Sequence, residues 1–592
     1  MLKELQYPFD SQLILKKRRS LKKKLLSENK SFIDKNIAIL GGSTTHDIAE
    51  ILELFLLDFG IRPSLYESEF GQWWQDSMFP PKELELFNPD IVFIHTSCRN
   101  ILNYPSITDN NEKIDEMLNT EFSRYEQAWQ ALKNKYNPII IQNNFELPYY
   151  RLLGNTDVTD RRGHTNYISR LNTKFSDYAA SHDAFYINDI NYLSADYGLS
   201  KWSDPFYWHM YKYCLALDAI PEFAFNLAAI IKSVYGKNKK ALALDLDNTL
   251  WGGIVGDDGV EGIEIGHETS MGQVYSEFQQ YLKELSSIGI TLNINSKNEY
   301  ENAIAGLNHP ESTLSPNDFI IIKANWQSKD RNLFEIAKEL NIGSDSIVFV
   351  DDNPAERAMV SASLPDTCAP DIGSPENYIR ILDRSRFFEV TELSSDDVKR
   401  NEMYRANVKR AAEQTQFADY GEYLLSLNMK AVIRDFDPVY IPRIAQLTNK
   451  SNQFNLTTWR ISESEMAEIA KNDRYMRLYG KLSDKYGDNG VITVVIGEKD
   501  NDTLHIRLWL MSCRVLKRDM EYAMLDCLVA DAKSSGIKKL RGYYYKTAKN
   551  AMVKEFYGTL GFDMLEQTDD SSQWILDLNN YQNKNKYIEV ER

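Results

Sequence analysis

The stretch that most constrains this chain covers residues 241–266, ALALDLDNTLWGGIVGDDGVEGIEIG. An apolar run over 241–244 stops abruptly at Asp245-Leu246-Asp247-Asn248-Thr249. That pattern predicts a buried strand carrying two carboxylates to its carboxyl end, where open α/β sheets place their ligands. Two acids one residue apart concentrate negative charge. The usual chemistry of such a site pairs a divalent cation with a phosphate.

Three later segments repeat the pattern of an apolar run closed by polar residues. Residues 290–294 lead into Asn295-Ser296-Lys297-Asn298, and 320–322 precede a polar turn with Lys329 and a helix expected over 332–340. Residues 346–350 end in Asp351-Asp352-Asn353. All four clusters can therefore meet on one edge of a parallel sheet. There Asp245 is placed to attack a phosphoryl group, and Asp247 to protonate the leaving oxygen and then activate water. The Ser296 hydroxyl and Lys329 ammonium suit phosphate oxygens and growing charge. Thr249, Lys297 and Asn353 lie in the same clusters and are further phosphate-binding candidates. Asp351 and Asp352, with Asp245 and the backbone carbonyl of Asp247, make an oxygen-rich set for Mg²⁺.

D-x-D-x-T followed in order by a hydroxyl, a lysine and D-D resembles the four motifs of the haloacid dehalogenase superfamily. Only 51 positions separate Asp245 from Ser296. No room remains for a large cap, so the site is expected to be open to a group borne on another protein.

A chain of 592 residues is too long for one core and predicts three domains or more. Its net charge of −17 argues against general nucleic-acid binding. Five cysteines without C-x-x-C or disulfide-framework spacing fit a reducing, cytoplasmic setting. No run approaches the ~18 continuous apolar residues that span a bilayer. The basic run Lys16-Lys17-Arg18-Arg19, continued by Lys22-Lys23-Lys24, predicts a solvated helix packing its leucines on the first domain. Contact with a membrane or an acidic partner is the other reading.

In the first domain, 1–235, residues 36–40, 91–94 and 138–141 read as strands and 48–57 as a helix, which implies a parallel sheet. The first strand ends in Gly41-Gly42-Ser43. This order resembles the SGNH hydrolases and would make Ser43 the nucleophile, Asn100 an oxyanion donor, and Asp204 and His209 the late acid and base. The family's G-D-S is G-G-S here, and its D-x-x-H spacing is stretched.

Residues 381–420 read as a charged, exposed helical linker after a phosphatase-like domain at 236–380. In the last domain, 421–592, strands are expected at 430–434, 491–496, 504–510 and 539–544, with helices at 438–447, 520–534 and 550–560. These elements resemble the GNAT acyltransferases. The turn that would cradle a CoA pyrophosphate is Arg514-Val515-Leu516-Lys517-Arg518-Asp519, which has no glycine. Just before it, Cys513 follows a strand and precedes a helix beside Arg514, a setting that lowers a thiol pKa and suits it to hold an acyl thioester. From 510 to 560 ten Lys or Arg oppose five Asp or Glu, a basic balance that would steer an acidic partner.

LDLDNTLWGG, NWQSKDRNL, FVDDNPAER, TNKSNQFNLTTWR and WLMSCRVLKR together resemble the FkbH-like family. The resemblance implies an α/β chain of three domains: an SGNH-like (flavodoxin-like) parallel sheet, a Rossmannoid haloacid dehalogenase-like sheet of the capless IIIC type, and a GNAT-like mixed sheet. It implies that 1,3-bisphosphoglycerate is dephosphorylated with Mg²⁺ and its glyceryl group loaded through Cys513 as a thioester on an acyl carrier protein. Lys517-Arg518-Asp519 stands where the family usually has Gly-Arg-Gly. An acyltransferase acting on a sugar or amine, and a non-catalytic biosynthetic scaffold, are the alternative readings.

Overall fold

Each apolar run becomes a strand in one of three sheets. The computed structural model describes residues 2–28, 32–512, 515–547 and 549–592. The chain divides into two compact units, Met1–Val234 and Tyr235–Arg592.

The first unit is built on five parallel strands: β1 (Ile33–Gly41), β2 (Ile61–Glu67), β3 (Ile91–His95), β4 (Ile139–Asn143) and β5 (Phe185–Asn188). Their order is β2-β1-β3-β4-β5. The inner strands carry buried residues on both faces, as parallel strands covered by helices must. The basic helix Ser11–Ser27 buries Ile14, Leu21 and Leu25. Its cations meet acids of the helix His46–Asp58: Arg18 lies 2.7 Å from Glu50, and Lys22 lies 2.6 Å from Glu53. The run therefore belongs to the fold, as the solvated-helix reading expects.

The second unit holds two sheets. Four parallel strands, β6 (Ala241–Leu244), β7 (Thr291–Ser296), β8 (Phe319–Ala324) and β9 (Ile347–Val350), lie in the order β8-β7-β6-β9. Between β6 and β7 there is a one-turn helix at Val255–Asp258, a 3-10 turn at Val260–Gly262 and the helix Ser270–Ser287, with no inserted cap domain.

The mixed sheet contains β10 (Met429–Arg434), β11 (Tyr475–Asp484), β12 (Gly487–Asp500), β13 (Thr503–Met511), β14 (Lys539–Tyr545), β15 (Asp563–Gln567), β16 (Ser571–Asp577) and β17 (Ile588–Glu591). It is ordered β15-β16-β14-β13-β12-β11-β10-β17. β13 pairs with β14 in parallel only over Thr503–Ile506. Beyond that point the two strands part, and the chain's own residues 454–456 enter the gap. Met511 N–H donates to the Phe454 carbonyl (3.0 Å), Leu456 N–H to Trp509 (3.1 Å) and Tyr545 N–H to Leu456 (2.9 Å). The fold class is thus α/β, with two parallel sheets and one mixed.

Two expectations need correction. The charged segment after 381 is not an exposed linker: its helix Arg400–Gln414 buries Asn401, Met403, Tyr404 and Arg410. Asn401 donates to the Ser286 carbonyl (2.8 Å) beside the four-stranded sheet, while Arg410 pairs at 2.7 Å with Asp484 on β11. Its polar side chains have buried partners, which charge patterning alone does not reveal. The helix expected over 550–560 is a 3-10 turn, Ala551–Val553, and a single helical turn, Phe556–Thr559.

Leu25→Ala should destabilise the first unit by ~2–5 kcal/mol, the cost of a leucine cavity. Lys23→Glu on the exposed face should stay within ~0.5 kcal/mol. Denaturation midpoints of the two variants check this.

Candidate functional site

The carboxyl ends of β6, β7 and β9, together with the helix that follows β8, supply one cluster. Asp245 follows β6 directly, and its N–H donates to the Val350 carbonyl at 2.9 Å. Asp351 and Asp352 follow β9, and one oxygen from each of Asp245, Asp351 and Asp352 lies within 4.8 Å of the others. Lys329, 3% exposed, sets its Nζ 2.7 Å from Asp245 and 2.5 Å from Asp351. It opens the helix Lys329–Glu339. The turn before it is held by Asn325, whose Oδ1 accepts from Gln327 N–H (2.9 Å) and Asn332 (3.1 Å), and by Asn295, which donates to the Lys329 carbonyl (2.8 Å).

Asp247 is positioned separately from those three carboxylates. One oxygen accepts from Trp251 Nε1 and Val255 N–H, both at 3.0 Å, and the other from Asn298 (3.1 Å). Its carboxylate is thus outside the three-acid cluster and leaves only its backbone carbonyl for a metal. The next residue, Asn248, takes a left-handed φ of 54°, which asparagine tolerates. Its Oδ1 accepts from Gly253 N–H at 3.0 Å.

Burial raises the pKa of Asp247, and that of Asp351 rises to about 6 through burial and the neighbouring Asp245 charge. Asp352 shifts upward for the same reasons. Burial pushes Lys329 down, but Asp245 and Asp351 outweigh it and hold the ammonium charged. One cation among three crowded acids leaves excess negative charge. The all-oxygen donor set suits a hard divalent cation, so these residues fit Mg²⁺.

The remaining expected residues fall around this centre. Ser296 is buried at the end of β7. Thr249 Oγ1 accepts from Asp352 N–H at 3.3 Å and ties the first loop to the last. Asn353 caps the helix Pro354–Ser363 and donates its N–H to Asp351 at 2.8 Å. Lys297 pairs with Glu356 at 2.6 Å. Sequence reading missed Trp251, Asn298 and Arg357; the last donates to the carbonyls of Asp351 (2.8 Å) and Asp352 (2.7 Å). Only the FVDDNPAER motif hinted at Arg357. Cys513 lies outside the described residues.

In the first unit the expected hydrolase set has other partners. Ser43 Oγ donates to Cys214 Sγ at 3.2 Å, and Cys214 lies 3.2 Å from His95 Nε2. Asn143 Nδ2 meets His95 Nδ1 at 2.9 Å and its Oδ1 accepts from Asn188 (2.8 Å), so the imidazole proton sits on Nε2 facing the sulfur. That tautomer cannot take a proton from Ser43. Asn100 donates to the Gly42 carbonyl (2.9 Å) and accepts from Ser97 N–H (2.9 Å). Asp204 caps the helix Pro205–Tyr211, and His209 is exposed on it.

With that geometry in view, known proteins supply the comparison. Residues 36–232 match the family model described as FkbH, N-terminal domain. No curated protein matches the chain. Among solved structures it is similar to the N-terminal part of BF1531 from Bacteroides fragilis, which contains a phosphatase domain and was crystallised with Mg. That likeness has 29% identity and a TM-score of 0.58, and covers 64% of this chain and 99% of that one. The ribosomal-protein-S18-alanine N-acetyltransferase of Escherichia coli matches at 15% identity and TM-score 0.21, over 26% of this chain and 99% of that one.

The polar chain beneath Ser43 carries a measurable signature. Burial pushes His95 down to about 3, so it stays neutral in the fold and protonates when the chain unfolds. Between pH 6.5 and 3 the unfolded state holds the extra proton, and stability falls as pH falls. The contribution is at most ~1.4 kcal/mol per pH unit. Urea titrations at pH 6.5 and 4.5 should show a shallower pH dependence for His95→Gln than for the wild type.

Proposed function

We propose that this chain is a Mg²⁺-dependent phosphatase and glyceryl transferase, acting on 1,3-bisphosphoglycerate and passing the glyceryl group to the phosphopantetheine thiol of an acyl carrier protein. The phosphatase half rests on Asp245, Asp351 and Asp352 gathered about Lys329 at an uncapped sheet edge. The likeness to a Mg-bound protein with a phosphatase domain supports the same reading. Mg²⁺ held by those three carboxylates and the Asp247 carbonyl would offset the charge of phosphoryl oxygens.

In this reading an Asp245 oxygen bonds to phosphorus as the phosphorus–oxygen bond to the leaving group breaks. Asp247, its protonated form favoured by burial, gives the leaving oxygen a proton. It then takes a proton from water, whose oxygen displaces phosphate from the phosphoaspartate and restores Asp245. Lys329 offsets charge on the reacting carboxylate and phosphate, and Ser296 binds a phosphate oxygen. Thr249 and Asn353 act by holding the loops, and Lys297 binds phosphate at the rim.

For transfer, the Cys513 thiolate attacks the carbonyl carbon of the acyl phosphate. The carbon–oxygen bond breaks, phosphate leaves, and the thioester passes to the carrier thiol by exchange. A free CoA arm is disfavoured, because the strand edges between β13 and β14 are already paired by residues 454–456. Division of labour follows 1–235, 236–380 and 421–592, with 381–420 packed between the last two, in a cytoplasmic protein. Among the described residues no helix is long and apolar enough to cross a membrane.

Incubation with 1,3-bisphosphoglycerate, Mg²⁺ and a carrier protein should raise the carrier's mass by one glyceryl group. Cys513→Ser should abolish loading while phosphate release from a simple monoester continues. Full loading by Cys513→Ser would remove the transfer half of the proposal.

A further inference from the structure

The amino ends of β6 and β9 border a cavity of ≈ 100 Å³ between the four-stranded and mixed sheets. Lys240 and Ser346 contribute from the turns that feed those strands, joined by a hydrogen bond from Lys240 N–H to the Ser346 carbonyl (2.8 Å). Five residues along one strand separate Lys240 from Asp245, which at ~3.3 Å per residue is about 16 Å. The cavity and the carboxylate cluster therefore lie at opposite ends of the same strands and cannot share one small ligand.

Charge in the two places is opposite. Five cations line the cavity: Lys240, Arg400, Arg443, Lys450 and Lys549. Among the described residues two acids line it, Asp345 and Asp397. Asp397, 5% exposed, is shared by Arg400 and by Lys450 at 3.2 Å, and Asp345 pairs with Lys549. Arg443 lies 2.9 Å from Asp396 just behind the wall. Counting all three acids, cations predominate along the wall, and a recess lined mainly by one sign of charge attracts an ion of the other. The same excess acts on the adjoining Lys237, which burial and the nearby Lys549 and Arg460 charges push down to about 8.

The neutral lining mixes apolar side chains, Ile342, Leu447, Phe454 and Met511, with hydrogen-bonding ones. Ser451, Asn452 and Gln453 come from the Asn-rich loop, and Ser512 from the end of β13. Ser451 and Ser512 are 9% and 7% exposed. Cations and hydroxyls along its wall come from the turns before β6 and β9, the helix Arg400–Gln414, the helix Ile441–Lys450 and the loop after it, and the loop after β14. A planar carboxylate uses a fork of two donors on one side, whereas a tetrahedral, multiply charged anion uses donors on every side.

We propose that this cavity is a binding site for a phosphate group, distinct from the Asp245 centre and able to hold it without a metal ion. It goes beyond the phosphatase reading and does not depend on it. The loop motif TNKSNQFNL then has two tasks: residues 451–453 line the phosphate site, and 454–456 close the mixed sheet behind it.

The test is a ³¹P NMR titration of the full chain with inorganic phosphate in EDTA, repeated with glycerol 2-phosphate. Saturable binding that persists in Asp245→Asn and weakens at least tenfold in Lys450→Gln supports the site. Lys549→Gln, on a more exposed cation, should weaken it severalfold and guards against misfolding of the first variant; circular dichroism checks both. Tighter binding of the ester identifies a phosphorylated small molecule as the ligand, and equal binding identifies the free anion. Absence of saturable binding overturns the proposal, as does binding that is lost in Asp245→Asn and untouched by both lysine variants.

Discussion

The Lys329 ammonium lies between Asp245 and Asp351, and the phosphatase-like sheet is arranged to keep it there. A lysine this buried stays charged only beside anions, and carboxylates this close stay ionised together most readily around a cation. Each side of the cluster therefore explains the other. The lysine's place depends on the turn pinned by Asn295, Asn325 and Asn332. The acids' places depend on β6 and β9 being adjacent, in register from Ala241↔Ile347 to Leu244↔Val350. One ammonium does not balance three acids, and the remaining charge is what makes the centre fit for a metal ion and a phosphate.

The same strands divide the chemistry of the second unit by direction. Their carboxyl ends gather acids and one lysine; their amino ends adjoin a cavity dominated by cations. The helix Arg400–Gln414 couples this sheet to the mixed one through Asn401 at one end and Arg410 at the other. Arg518 joins the second contact, 3.1 Å from the buried Asp484. At Lys517 and Asp519 the backbone is left-handed, with φ of 63° and 59°. A turn of the kind glycine favours thus persists without glycine, and the central arginine serves packing between the two sheets.

Much of the centre was legible because its chemistry is local. Asp245, Asp247, Asp351 and Asp352 each stand one to three residues beyond an apolar run, and strand ends are where parallel sheets place such residues. Lys329 was legible from its turn. The supports were not: Asn298 lies 51 positions from the Asp247 it holds, and only the folded sheet brings them together. Ser43 illustrates the converse. A serine at a strand end followed by a late Asp and His suggested a hydrolase, but its partner 171 positions away is the Cys214 thiol. The strand β11 was missed because its sequence, YMRLYGKLSD, mixes charges and a glycine into a half-buried pattern without clean alternation.

The account turns on Asp245 as the group that bonds to phosphorus. The most direct measurement is Mg²⁺-dependent phosphate release from a monoester by the wild type and by Asp245→Asn, with the fold of each checked by circular dichroism. Loss of a nucleophile predicts a fall of roughly 10⁴-fold or more in kcat. Phosphate release by the asparagine variant at the wild-type rate would contradict it.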